Sequence, residues 1–136
     1  MGCLPSAELW PHRRRVATAI ALLCRARILI AAVPLERWRQ TLGDDGGAAS
    51  AAEARKLAKQ VERAAAWLPF ETKCLPRAMA LSWMLRRERI RHALVFAVRP
   101  AALRDAADGL HAWIEADGDK VIGDLPGPWV ETLRLD

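Results

Sequence analysis

The chain has 136 residues, 52% hydrophobic and 27% charged, with a formal net charge of +5. That is one globular domain with room for a small helical appendage; it excludes two full domains and a disordered or fibrous chain. Residues 1–40 carry seven arginines against two glutamates, and residues 41–136 carry fourteen basic and fourteen acidic side chains, so the excess charge points to an anionic partner for the front of the chain, not to nucleic-acid binding throughout.

The first element is a helix over Ser6–Ala32. Its apolar stretch, residues 16–35, has Arg25 and Arg27 in the middle, and two arginines at that depth exclude a membrane-spanning helix. Arg13-Arg14-Arg15 followed by Val16–Cys24 imitates the start of a signal peptide, but no small-x-small cleavage site follows. The opening MGCLPS fits the short acylation pattern at Gly2, which has many chance matches. Arg14 and Arg25 are eleven residues apart and share a helix face. That face is either solvated or a docking surface for an acidic partner. Leu22, Leu23, Ile28, Leu29 and Ile30 are expected to pack the helix onto the rest.

Pro34 opens a short helix to Leu42, and Gly43–Gly47 reads as a linker. The chain therefore divides into an N-terminal helical segment, 1–45, and a domain over 50–136. Ser50 caps a helix over 51–68, with Leu57, Val61, Ala64, Ala65 and Leu68 as its apolar stripe. Pro69 ends it. Thr72 is the expected N-cap of a helix reaching Arg87, with Pro76 tolerated in its first turn. The period then changes to two: Ile90, His92, Leu94, Phe96 and Val98 alternate with their neighbours as a strand. Residues 101–109 form a loop or short helix, Leu110–Ala116 a second strand, and Asp117-Gly118 a hairpin turn. Lys120–Asp124 returns, and Pro126 and Pro128 make the tail irregular. Helices followed by an antiparallel sheet make the class α+β.

The three cysteines, Cys3, Cys24 and Cys74, are odd in number and widely spaced, without a CxxC or Cys/His cluster. That excludes a disulfide scaffold and a structural zinc site and fits a reduced, cytoplasmic protein. Cys74 lies in the first turn of its helix, where backbone N–H groups and the positive dipole end favour a thiolate and supply half of an oxyanion hole. With a two-residue turn, Glu115 faces Lys120, Trp113 faces Ile122 and His111 faces Asp124, with Cβ atoms about 4.5–5.5 Å apart. A carboxylate there accepts the imidazole N–H and stabilises the imidazolium. The chain has no Asn, so the residue that orients the histidine must be a carboxylate. A Cys, a His and an orienting Asp are the parts of a cysteine hydrolase. His92 is the rival base and reads as structural; Ser82 has no GxSxG elbow around it.

Cys74-Leu75-Pro76-Arg77-Ala78-Met79-Ala80-Leu81, then a strand, then His111-Ala112-Trp113-Ile114-Glu115 and the Asp-Gly hairpin, resembles the transglutaminase-like leader peptidases of lasso-peptide biosynthesis in their stand-alone form. The resemblance is strongest over 70–125. It implies a papain/transglutaminase-like fold and a Cys-His-Asp triad of Cys74, His111 and Asp124, selecting Asp124 over Asp117 or Asp119. No cofactor or metal is expected. The implied reaction is removal of the leader from a ribosomally made precursor through an acyl-enzyme. The implied partners are the precursor leader peptide, a separate leader-recognition protein and an ATP-dependent lasso cyclase. Two alternatives share the residues: an acyltransferase using the same triad, and a non-enzymatic basic binding module.

Overall fold

The structure, a computed structural model, describes residues 6–44, 46–100, 110–124 and 127–136, with side chains from Arg14 onward. Cys3, Pro126, the side chain of His12 and the connection expected over 101–109 lie outside the described residues.

Helix α1 spans Ser6–Ala32 as expected. Its buried positions are Ala19, Leu23 and Ala26, three or four residues apart, the spacing of one helical face. Leu22 and Leu29 pack at the margin of the core. Ile28 and Ile30, expected inside, are 64% and 40% exposed; Ile28 lies well round the helix from the buried face, whereas Ile30, seven residues after Leu23 and four after Ala26, follows that face near the end of α1. Pro34 stands before helix α2, Leu35–Trp38, and a 3-10 turn over Arg39–Thr41 continues it. Trp38 is buried and its indole N–H donates to the Val33 carbonyl at 3.0 Å.

The segment after Thr41 is stitched to the body rather than left as a linker. The Gly43 N–H donates to Ser82 Oγ at 2.9 Å, Ala48 bridges to Ile90, and the Arg91 N–H donates to the Ala48 carbonyl. The two parts expected to divide at 45–50 share one apolar core.

Helix α3, Ala51–Trp67, begins at Ser50, whose side chain accepts from the Glu53 N–H. Helix α4, Cys74–Arg87, is buried without a break from Ala78 to Leu85. A helix apolar all round is one enclosed on every side, and α4 packs against α1, α3 and the sheet.

Four antiparallel strands follow: β1 Ala93–Val98, β2 Leu110–Ala116, β3 Asp119–Ile122 and β4 Val130–Leu135, in the order β3-β2-β1-β4. Strand β1 is paired at both edges, and both of its faces are covered. Leu94 and Phe96 join the main core, while Ala93, Val95 and Ala97 form a second cluster with Trp113 and Trp129. Ile90 and His92, expected in the strand, precede it. Strand β4 corrects the expectation of an irregular tail. Its alternating Val130-Glu131-Thr132-Leu133-Arg134-Leu135 adds to the free edge of β1. Arg134 then reaches across β1 to Glu115 at 2.6 Å and along its own strand to Glu131 at 2.8 Å. The hydrogen bond from Arg134 holds the Glu131 carboxyl below its ordinary value.

Asp117 and Gly118 both have positive φ, 50° and 81°, as a two-residue hairpin of right-handed twist requires. Glu115 faces Lys120 as expected, but the next pair is Ile114 with Ile122, not Trp113 with Ile122. Val121 is an extra residue on β3, a bulge that shifts everything beyond it by one place.

Candidate active site

Cys74 is the first residue of α4. The residue before it, Lys73, makes no side-chain cap, and Pro76 has no N–H to offer. The main-chain donors of Lys73, Cys74 and Leu75 therefore stand at the helix start without intrahelical acceptors. Thr72 was the expected cap. It is buried instead, and its hydroxyl accepts from Arg77 Nε at 3.0 Å. The same guanidinium donates to Glu62 on α3 at 2.8 Å. Arg77 thus ties the turn that carries Cys74 to two helices. Its fork is suited to two oxygen acceptors at once.

His111 is the second residue of β2 and is buried. Its Nε2 is hydrogen-bonded to the Gly123 carbonyl. A carbonyl only accepts, so Nε2 carries a proton, and in the neutral ring Nδ1 is the nitrogen with the lone pair. The ring stands against Trp129, centroids 5.0 Å apart, and Trp113, at 6.0 Å. These contacts fix the plane of the imidazole as well as its tautomer.

Gly123 is specific to this arrangement. Its φ is +78°, and a Cβ there would stand 2.7 Å from the Ala112 carbonyl oxygen and 3.2 Å from Trp113 Cβ. Only glycine brings its carbonyl this close to β2.

Two cavities meet at Cys74 and His111. One, about 730 Å³, has a largely apolar lining: Ile30 and Ala31 of α1, Leu75 and Pro76, Phe96, Val98 and Leu110. The other, about 690 Å³, is the more polar of the two, with Glu62, Arg77, Arg99 and Asp124 in its wall beside Leu110, Ile122 and Trp129. Asp124 is exposed and shares this second cavity with Cys74 and His111. It does not take the ring N–H of His111 here; the bulge at Val121 displaces it, and the main chain of its neighbour holds the ring. Asp119 is engaged elsewhere, in an ion pair with Arg55 of α3 at 2.8 Å.

The rival residues belong to a separate, buried set. His92 Nδ1–H donates to the Ile90 carbonyl at 2.8 Å, and its Nε2 lies 2.7 Å from Ser82 Oγ. Neither residue lines the two cavities, so His92 is structural, as expected. Among the described residues no three His, Cys, Asp or Glu side chains gather as metal ligands would, and no helix is long and apolar enough to cross a membrane.

Sequence reasoning brought Cys74, His111 and Asp124 to one cleft and missed Gly123, Trp129 and Arg77. A hydrogen bond to a main-chain carbonyl leaves no residue signature apart from the glycine. Arg77 belongs to the Cys74–Leu81 motif, but its partners Thr72 and Glu62 come from the fold.

A protein-family model described as the transglutaminase-like superfamily matches residues 16–132, a span from α1 into β4 that holds all three site residues. Proteins of that superfamily are generally of cysteine peptidase or acyltransferase type. Neither a search of curated proteins nor one of solved structures found a match.

Proposed function

The chain belongs to the transglutaminase-like superfamily, and from that premise we propose that it is a cysteine peptidase acting by a Cys74-His111-Asp124 mechanism. The observation that carries the reading is the junction of the two cavities. A cysteine at a helix N-terminus and a histidine with its tautomer set line both of them. A peptide lying through the cleft would present its scissile carbonyl at that junction.

In this reading His111 Nδ1 takes the thiol proton as Cys74 Sγ attacks the carbonyl carbon. The uncapped N–H groups at the start of α4 stabilise the oxyanion. Collapse of the tetrahedral intermediate breaks the C–N bond, and the imidazolium gives its proton to the departing amine. Water then attacks the thioester, with His111 as base, and releases the acid. Asp124 supports the imidazolium electrostatically from the polar cavity, while the Gly123 carbonyl orients it.

The substrate in this reading is the leader of a ribosomally made lasso-peptide precursor. The leader-recognition protein delivers it and an ATP-dependent cyclase takes the freed core, all in the reducing cytoplasm. The motifs around Cys74 and His111 support this assignment. The test is mass analysis of a precursor incubated with the protein and its partners. Hydrolysis yields a leader ending in a free carboxylate; an amide formed with an added amine identifies an acyltransferase instead. Cys74→Ala and His111→Ala are each expected to lower cleavage at least 1,000-fold, on the order seen when one member of a catalytic triad is lost. Cys24→Ala leaves it unchanged. Full activity in Cys74→Ala overturns the mechanism.

A further inference from the structure

The cleft changes polarity at Cys74, and α1 is part of the reason. The apolar arm is walled on one side by Phe96, Val98 and Leu110 of the sheet and on the other by Ile30 and Ala31 of α1. Leu110 is 61% exposed and Ile30 40% exposed, although each faces this arm. Large aliphatic groups left in water beside a concave surface mark a place where an apolar ligand group is buried. The charged groups of the arm stand at Arg27, Glu71 and Lys73, and the Arg27 guanidinium lies 4.0 Å over the Phe70 ring, which holds it against protein.

We propose that the apolar arm is a specificity pocket for a bulky aliphatic or aromatic side chain next to the reacting carbonyl of a peptide, with Ile30 and Ala31 of α1 as one wall. This rests on the reading of Cys74 as the nucleophile. It gives α1 a role in choosing the substrate, beyond packing and beyond its charge. The arm's volume, about 730 Å³, is in the range of small-ligand pockets, roughly 300–1,000 Å³. The opposite arm, with Glu62, Arg77, Arg99 and Asp124, would take a polar segment. The substrate is therefore a peptide whose character changes from apolar to polar across the cleaved bond.

Alkylation of Cys74 tests the pocket without needing peptidase activity. Iodoacetamide and its N-benzyl derivative deliver the same reacting group, and only the second carries a ring that would occupy the arm. Rates are read by peptide mass mapping at Cys74, with Cys24 as the internal comparison. The benzyl reagent is expected to react with Cys74 about 10-fold faster and to saturate, with no such preference at Cys24. A 10-fold preference corresponds to about 1.4 kcal/mol. Ile30→Asp places a charge in the wall and Ala31→Trp fills the arm. Both positions are exposed on α1, outside the core. Each variant is expected to bring the ratio of the two rates to within 2-fold. Equal rates in the parent protein overturn the pocket. A preference unchanged in both variants overturns the role of α1. If the protein proves not to cleave peptides, cleavage is absent while the labelling ratio persists, so the two failures are distinguishable.

Discussion

His111 is held by a main-chain carbonyl, and that gives its proposed base function a backbone dependence that a side-chain triad lacks. Gly123 reaches the ring because it adopts φ +78° in contact with the Ala112 carbonyl. Gly123→Ala is expected to destabilise the fold by about 1–3 kcal/mol, the usual cost of a non-glycine residue in such backbone. It should also lower kcat by moving the carbonyl from Nε2. Asp124→Asn tests the other contribution, since the amide keeps the shape and removes the charge. It is expected to lower kcat more than Asp117→Asn or Asp119→Asn, because Asp124 alone of the three lines the cleft. Thermal melts and peptide cleavage measured on the same four variants separate the effects. An Asp124→Asn enzyme with the parent's kcat would leave orientation to the Gly123 carbonyl and the two tryptophan rings.

At the level of elements, what the chain's pattern made legible depended on how local the cause was. Helix α1, strand β2 and the Asp117-Gly118 turn are set by short-range periodicity and by residues that tolerate positive φ, and all three appear where the pattern put them. Strand β4 went unread because two prolines precede it and only the unpaired edge of β1 gives it a partner. The bulge at Val121 went unread for a related reason. The extra residue is visible only against the pairing with β2. The same distinction applies to packing. Leu23 is fully buried whereas Ile28 is 64% exposed, although both belong to one apolar run. Leu23→Ala is therefore expected to cost about 2–5 kcal/mol, as leucine-to-alanine changes in cores do. Ile28→Ala should stay within about 0.5 kcal/mol, the range of exposed positions. Chemical denaturation of the two variants gives the comparison. Equal losses would mean that α1 packs in a different rotation.

At the scale of the whole molecule, the charge concentrated at the front of the sequence meets one further arginine, Arg87, from the end of α4. Arg14 and Arg15 of α1 share a small cavity with Thr18 and with Arg87 and Glu88 at the end of α4. Arg15 lies 3.9 Å from Glu88, with both side chains about half exposed, and such a pair contributes little to stability. Arg25 is a poor probe of docking, although it shares the α1 face, because its guanidinium stacks 4.7 Å over Trp83. Changing it would disturb packing along with charge. Arg14 and Arg87 are exposed and are the better pair. In the proposed pathway this face receives an acidic surface of the leader-recognition protein. The Arg14→Glu, Arg87→Glu double variant is then expected to bind that protein at least 10-fold more weakly at low salt. The difference should shrink as salt rises, because exposed charges are screened beyond about 8–10 Å at physiological ionic strength. Labelling of Cys74 should continue at the parent's rate, since neither arginine lines either arm of the cleft. Binding by calorimetry at two salt concentrations measures both effects. Unchanged affinity at low salt would remove docking as the role of the basic face and leave α1 with its packing and its wall of the apolar arm.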